Sequence, residues 1–309
     1  MELISKHSLF KYNPDTLEYL KKLYNLDKPE RLDESVEILV NWLQKQDHLI
    51  KKDYSKDFLE RSLLSSKGSV ERAKTKLDKV ATLKTLLPNF YEPFDIRSFK
   101  ILQVIFSSLV PKMTKDHDRF YVVKIFDNEY PSLFDIYKYS IMICELLQAF
   151  DYNNSIINVL DARDCNIVAL AKAINFVHFR QCMSITMEGY KMRIKEFHFI
   201  TPSKAIDTLV TMFKQVLSPK LSQRIHVHKN LDTLYEYVPK EICPKDFGGN
   251  EKSIKEPNDN LMDVLTSKEF TKYFNESISK KTNEEYRSVY EFNEQCMDMP
   301  GSFRRLTLD

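Results

Sequence analysis

Four basic residues between positions 193 and 224 have a spacing that could hold a phosphorylated headgroup. Arg193 and Lys195 are two residues apart, so a strand over 190–196 would place them on one face. Lys220 and Arg224 are four apart and share one side if the helical turn before them persists. Charge-assisted hydrogen bonds from several cations to one phosphate headgroup add together. On spacing alone, an ordinary solvated face is the alternative.

Other reactive residue types form no recognisable catalytic or metal-binding motif in the sequence. His226 and His228 share one face of a short predicted strand, but no cysteine or acidic residue stands at a useful spacing for a metal site. The five glycines form no GxGxxG, GxxxxGK or GxSxG motif. The five cysteines are odd in number and widely spaced, which indicates reduced thiols. We therefore expect no enzymatic activity, no metal and no cofactor.

The composition is that of an ordinary globular protein. Hydrophobic residues make up 43% and charged residues 29% of the 309 positions. A net charge of +2 is too small for a general polyanion-binding surface, so nucleic acid is not an expected partner. The first residues lack the apolar run of a signal peptide, and no window approaches about 20 apolar residues. These features predict a soluble, cytoplasmic protein, and we expect it to be a monomer.

Hydrophobic periodicity predicts an all-helical N-terminal module followed by alternating strands and helices. Helices are predicted at 14–45, 57–64 and 69–87, with Pro88 ending the last, and PNFYEPF suggests a domain boundary. Beyond it, strands are predicted at 120–127, 156–161, 196–201 and 224–228, and helices at 98–107, 132–150, 168–188, 203–217 and 261–278. Ser132 and Asp135 have capping-box spacing, and Ser203 is a candidate cap. This alternation predicts an α/β fold with a largely parallel sheet flanked by helices.

Three segments carry a resemblance to a known family: KEFHFITPS, SPKLSQRIHVH and YVPKEICPKDFGG, in this order. Their sequence and spacing resemble the CRAL-TRIO (Sec14-like) lipid-binding family, in particular the branch of alpha-tocopherol transfer protein and cellular retinaldehyde-binding protein, and its insect members most. The segment DFLERSLLSSKGSVERAKTKLDKVATLKTLLP is similar to the family's N-terminal helical module. The resemblance covers roughly 30–250 and implies a helical module over 1–93, a lipid-binding domain over 94–252 and a C-terminal helix and tail over 253–309.

The resemblance also implies a hydrophobic pocket between the sheet and a gate helix over 203–217. Positions that match ligand-lining ones are Ser140, Cys144, Ile156, Leu160, Ile185, Tyr190, Met192, Ile194, Phe197, Phe213 and Leu217. Arg193, Lys195, Lys220 and Arg224 match cations that contact phosphoinositides. In LDARD at 160–164, Asp161 matches the family pattern, whereas the usual glycine is missing.

The resemblance implies a carrier for one small hydrophobic ligand, such as a tocopherol, retinoid, carotenoid or other isoprenoid-like lipid. The carrier would exchange its ligand at phosphoinositide-containing membranes, to which it binds peripherally and reversibly. A Sec14-like phospholipid exchanger is one alternative. A phosphoinositide-reading membrane adaptor without a transferred ligand is the other.

Overall fold

The N-terminal part of the chain is an all-helical module, as predicted. The computed structural model describes residues 9–92, 94–126 and 132–287. Its first helices are α1 Thr16–Leu23, α2 Pro29–Gln44, α3 Lys56–Ser65 and α4 Val70–Leu86. The hydroxyls of Ser55 and Ser69 cap α3 and α4. The predicted helix over 14–45 is interrupted between α1 and α2, where Asn25 has a left-handed φ of 55°.

The larger part of the chain is built on a five-stranded, mostly parallel sheet, which confirms the predicted fold class. The strands are β1 Ile105–Met113, β2 Arg119–Ile125, β3 Ile156–Asp161, β4 Ile194–Ile200 and β5 Ile225–His228. They lie side by side in chain order. The β1–β2 pair is antiparallel and the other three pairs are parallel.

The helices that accompany the sheet differ in several places from the predicted ones. They are α5 Leu133–Phe150, α6 Ile167–Ala173, α7 Phe176–Ser184, α8 Ile206–Val216, α9 Pro219–Ser222, α10 Lys255–Leu265 and α11 Lys268–Ile278. The stretch predicted as helical over 168–188 is divided between α6, α7 and a π-helical turn, Ile185–Gly189. The last predicted helix is also two helices, because Ser267 caps α11 and starts it anew. Ser132 makes no side-chain cap for α5.

The helix predicted over 98–107 is wrong. Within that range only Ser98 and Lys100–Gln103 are helical, in two short 3₁₀ turns, and β1 begins at Ile105. The backbone of Ile105 pairs with Ile125 of β2, so a long-range partner decides the conformation of this apolar stretch.

The two faces of the sheet pack against different parts of the chain. Alternate β3 residues Ile157 and Val159 belong to a core with Leu234 and Phe247, from the 3₁₀ turns that follow β5. The opposite face of β3 carries Leu160, which packs in a second apolar cluster with residues of α6 and α8. None of the helices in the described ranges is long and apolar enough to cross a membrane.

Glu145 of α5 joins the helical module to the C-terminal helix. Its carboxylate is buried and accepts hydrogen bonds from Tyr190 Oη at 2.6 Å, Ser277 Oγ at 2.7 Å and Tyr273 Oη at 2.9 Å. Lys84 Nζ of α4 lies 2.8 Å from the same carboxylate. Burial raises the pKa of Glu145, but Lys84 and the hydroxyl donors outweigh this effect and hold the pKa below its ordinary value.

The residues after α11 return to the N-terminal module. Thr282 forms an isolated antiparallel bridge with Leu49, and its backbone N–H donates to Thr85 Oγ1. Arg287 Nη1 lies 2.9 Å from a carboxylate oxygen of Asp78. The end of the described chain therefore packs against the N-terminal helical module.

Lys84→Met should lower the free energy of unfolding by about 3–5 kcal/mol, because it leaves the buried charge of Glu145 without its cation. Adding Glu145→Gln should recover part of the loss, since the amide oxygen still accepts from the hydroxyls and carries no charge. Urea denaturation of the single and double variants measures both effects. Lys74→Met removes a more exposed partner, that of Glu71, and should change stability by no more than about 1 kcal/mol. A similarly small effect for Lys84→Met would contradict the assigned role of the pair.

Three histidines form a stacked group on β4 and β5. His198 Nδ1 lies 2.9 Å from His228 Nε2, and the ring of His226 stacks on His198 and contacts Tyr237. Burial, followed by the neighbouring histidines, lowers the pKa of His198 to about 3. Burial also lowers the pKa of His228. Among the described residues, no group of three or more His, Cys, Asp or Glu side chains could hold a metal ion.

The lowered pKa of His198 predicts that the protein loses stability in mild acid. The ordinary pKa of 6.5 applies in the unfolded chain, whereas folded His198 stays neutral down to about pH 3. The unfolded state therefore binds more protons across this window, and stability falls as the pH drops from about 6.5 toward 3. At pH 5.5 the loss from His198 should be roughly 1 kcal/mol. Urea denaturation at pH 7.5 and 5.5 should show a smaller pH effect in His198→Gln, and an equal one would contradict this assignment.

Candidate functional site

Three of the four predicted basic residues lie near Lys67, a cation that the sequence did not indicate. Arg193, Lys220 and Arg224 all lower the pKa of Lys67, with Arg193 the largest cause, so like charges are concentrated here. We define the basic patch as Lys67, Arg193, Lys220 and Arg224. Lys220 is exposed on α9, and Arg224 lies just before β5.

Lys67 belongs to the helical module and reaches the patch through a tight turn at the end of α3. Lys67 has a left-handed φ of 59° and Gly68 one of 72°. The Gly68 N–H donates to Leu63 O at 2.9 Å, which closes the helix end. A Cβ on Gly68 would lie 2.4 Å from the carbonyl oxygen of Tyr24, so only glycine fits. The Lys-Gly pair after an apolar helix was a sequence signal for this turn. Nothing in the sequence indicated which residues lie near Lys67 in the folded chain.

Arg193 connects the patch to α1. Its Nη2 donates to Asn154 Oδ1 at 2.9 Å, its Nη1 donates to the Tyr24 hydroxyl, and its guanidinium lies 5.1 Å from the centre of the Tyr24 ring. The predicted strand over 190–196 is wrong in its first half, because β4 begins only at Ile194 and Lys191 has a φ of 49°. Arg193 therefore precedes the strand.

Lys195 forms ion pairs with two carboxylates. Its Nζ lies 2.7 Å from Asp118, which is fully buried, and 3.0 Å from Asp116. Although burial lowers the pKa of Lys195, these hydrogen bonds raise it overall. The backbone of Lys195 contacts the patch, because Arg224 Nη1 donates to its carbonyl oxygen. The charge of its side chain, however, is neutralised by the two carboxylates.

Helix α8, at the position predicted for the gate, lies closed against aromatic side chains. The ring centre of Phe213 is 4.8 Å from Phe179, 5.2 Å from Phe199 and 5.8 Å from Phe197. Only Ile206 and Leu209 among the eleven residues of α8 are buried. The helix starts three residues later than predicted, with Ala205 rather than Ser203 at the N-cap position.

Most of the residues predicted to line a pocket lie in one apolar core cluster, which we call the pocket cluster after that prediction. Members of this cluster or packed against it are Cys144, Ile156, Ile185, Tyr190, Met192, Ile194, Phe197 and Phe213. Leu160 packs with Phe197 and Phe213 in the adjoining cluster, and Leu217 is buried at the end of α8. The hydroxyl of Ser140 donates to Ile136 O of its own helix at 2.8 Å. The Tyr190 hydroxyl is bound to Glu145, so this end of Tyr190 faces the interface with the helical module.

Asn158 is a polar residue in the apolar floor that sequence reasoning missed. It lies between Ile156 and Leu160 on the same face of β3, and its strand partners are Tyr121 and Phe197. Its Nδ2 is buried with no hydrogen-bond partner among the described residues. An unpaired buried amide is costly, so a bound oxygen atom would be favoured here. The asparagine within the predicted strand over 156–161 was the sequence signal that could have indicated this polar group.

In the segment 160–164, which departs from the family pattern, Arg163 and Asp161 form an ion pair. Asp161 is fully buried, and Arg163 binds it with Nε at 2.9 Å and Nη2 at 2.8 Å from its two carboxylate oxygens. The arginine thus turns back on the end of β3, and Lys124 lies 3.8 Å from the same carboxylate.

Comparison with known proteins agrees with this architecture. The CRAL/TRIO domain family matches residues 108–249, and a family described as Pinta-like, UBA domain matches residues 28–101. Alpha-tocopherol transfer protein-like proteins of Mus musculus and Homo sapiens are each 26% identical to the chain over 110 residues. That match spans 35% of this chain and 32% of each relative, about a third of their length.

A solved structure has the same overall fold. The crystal structure of Sfh5 superposes with a TM-score of 0.50 at 13% identity and covers 87% of this chain and 98% of that one. At such low identity this likeness concerns the fold alone. The family match and the relatives together show that residues 108–249 form a CRAL/TRIO domain.

Proposed function

We propose that the protein is a non-enzymatic carrier for one small hydrophobic ligand, which it exchanges at phosphoinositide-containing membranes. The observation that carries this proposal is the position of α8, an amphipathic helix that covers the pocket cluster and leads directly to the basic patch. The names of the relatives, which refer to a tocopherol transfer protein, support the same class. In this proposal the lipid-binding domain begins near residue 94 and the protein works as a cytoplasmic monomer.

The contacts of α8 suit a gate. Asp207, Thr211 and Lys214 are exposed, whereas Phe213 is half-buried against the sheet. A helix with two fully buried residues loses little core packing when it lifts. Its apolar side would cost roughly 25 cal/mol per Å² in water, and a membrane removes that cost by receiving the side chains.

The order of elements after α8 supports a coupling of membrane contact to the gate through the basic patch. Helix α8 ends at Val216, and after Leu217 the chain enters α9, which carries Lys220. A phosphoinositide held by Lys67, Lys220 and Arg224 would thus fix the segment on which α8 turns. Each cation near an anionic surface contributes about 1 kcal/mol of attraction.

The polar groups near the pocket cluster favour a lipid with a neutral oxygen function. The Ser140 and Thr186 hydroxyls donate to the carbonyl groups of Ile136 and Cys182, whereas the Asn158 amide has no partner among the described residues. A hydroxyl or carbonyl group of a tocopherol, retinoid, oxygenated carotenoid or other isoprenoid-like lipid could pair with this amide. A phospholipid would require cationic donors for its phosphate, and those of the basic patch lie outside the pocket cluster.

Native mass spectrometry of the protein purified from its own tissue, followed by lipid extraction, tests the proposal. One co-purifying hydrophobic molecule per chain would support the carrier. A glycerophospholipid would instead favour a Sec14-like exchanger. An empty chain that still binds phosphoinositide liposomes would favour the adaptor.

Phe213→Asp should impair ligand retention far more than folding. The new carboxylate has to be solvated, which opens the half-buried edge of α8 but leaves the two buried residues of that helix in place. Retention of a radiolabelled tocopherol and the thermal midpoint are measured together. Thr211→Asp, on the exposed side of α8, is the matched control. A collapse of thermal stability in the ligand-free Phe213→Asp protein would assign Phe213 to the core instead of the gate.

Lys67→Ala combined with Lys220→Ala should slow ligand transfer to phosphoinositide liposomes roughly tenfold or more at low salt, because two cations of about 1 kcal/mol each are lost. Affinity for the ligand in solution should stay nearly unchanged. Higher salt should reduce the difference by screening the attraction in the unaltered protein. Lys268→Ala with Lys272→Ala removes the same charge from the exposed side of α11. Equal transfer rates for the two double variants would leave the patch without a role in docking.

A further inference from the structure

A polar cavity lies between the helical module and the C-terminal helix. Its volume is about 240 Å³, and none of its lining residues belongs to α7 or α8. Its walls come from α3, α4, α5 and α11, together with Tyr190. Phe58, Leu77 and Val80 supply apolar wall, and the buried polar side chains include Ser62, Lys76, Lys84, Glu145, Gln148 and Ser277. An interior space with so many polar groups favours polar contents.

Lys76 is a buried lysine whose hydrogen-bond partners are both neutral. Its side chain is 2% exposed, and its Nζ donates to Ser65 Oγ at 2.8 Å and to the Gln148 side-chain oxygen. Within the ranges that the structure describes, no carboxylate forms an ion pair with it. An ammonium group has three N–H donors, so one remains for a further acceptor. Burial lowers the pKa of Lys76 to about 7, and the negative charge of Glu145 offsets only part of this effect.

The other charges of the cavity already have partners. Lys84 is paired with Glu145, and Lys280 donates to the backbone oxygen of Asp53 and lies 3.9 Å from the centre of the Tyr54 ring. The carboxylates of Asp53 and Glu276 lie at the exposed end of the cavity. At the inner end, the Lys76 amine thus has no ion-pair partner among the described residues, and in its protonated form it has one N–H donor without an acceptor.

We propose that this cavity binds a small carboxylate or phosphate anion, whose oxygen accepts the remaining hydrogen bond of Lys76. The volume corresponds to about eight water molecules at ~30 Å³ each. It is smaller than the roughly 300 Å³ at which pockets for larger organic ligands begin, so a lipid does not fit the size of the site. An anion in this cavity would lie between walls from α4, α5 and α11 and would stabilise the attachment of the helical module. The proposal is independent of the carrier function.

The thermal midpoint of the full chain, titrated with phosphate, acetate or succinate against chloride at constant ionic strength, tests the site. We expect a saturable rise with at least one of the three, because a ligand that binds only the folded state stabilises it. Lys76→Met should weaken the apparent affinity at least tenfold. Replacing a buried charge by an apolar side chain of similar volume is often neutral or stabilising, so this variant should fold. Lys74→Met, on the same helix and paired with Glu71, is the matched control and should keep the wild-type affinity.

Gln148→Glu provides a second test that keeps the lysine. The new carboxylate would lie beside Lys76 and form the missing ion pair, so the anion effect should be lost while Lys76 remains. A saturable rise that persists unchanged in Lys76→Met would mean an adventitious ion only and would overturn the proposal. The absence of a saturable rise with all three anions in the wild-type chain would overturn it as well. Neither result bears on lipid retention, which is measured separately.

Discussion

The buried negative charge of Glu145 is the constraint on which the arrangement of the chain depends. A carboxylate in the interior requires a cation and further donors, and here they come from α4, from Tyr190 after the π-helical turn, and from α11. These segments are far apart in sequence, so the charge is satisfied only when the helical module and the C-terminal helix are both docked. The neighbouring residue Cys144 belongs to the pocket cluster. One helix, α5, thus contributes both to the joint between the modules and to the pocket cluster.

Local signals predicted the elements that depend on local interactions. The apolar runs at β3 and α5 have the period and length of their elements, and the structure confirms both within one residue. The edge strand β1 was missed because its conformation depends on pairing with β2, which no local pattern encodes. Glu145 was not indicated either, since one acid within an apolar helix has no signature of its own. Its partners become adjacent only in the folded chain.

The candidate site shows the same division between sequence and structure. Family resemblance pointed to Arg193, Lys220 and Arg224, which the fold gathers around Lys67. The resemblance gave no reason to include Lys67, because that lysine comes from the other module. Lys195 satisfied the same pattern, yet carboxylates from the turn between β1 and β2 bind it. The role of these residues in membrane docking and of the pocket cluster in ligand binding remains our proposal.

The order of the strands has a consequence for the path by which the chain folds. Each strand of the sheet pairs with the strand that precedes it in the chain, so the sheet can grow one edge at a time as the polypeptide is synthesised. The contacts of Lys84 with Ser277, separated by 193 residues, cannot form until α11 has been made. Long-range closure has the largest entropic cost, which makes this contact a late step in folding. All five strands could therefore pair before the segment that fixes α4 in place has been made.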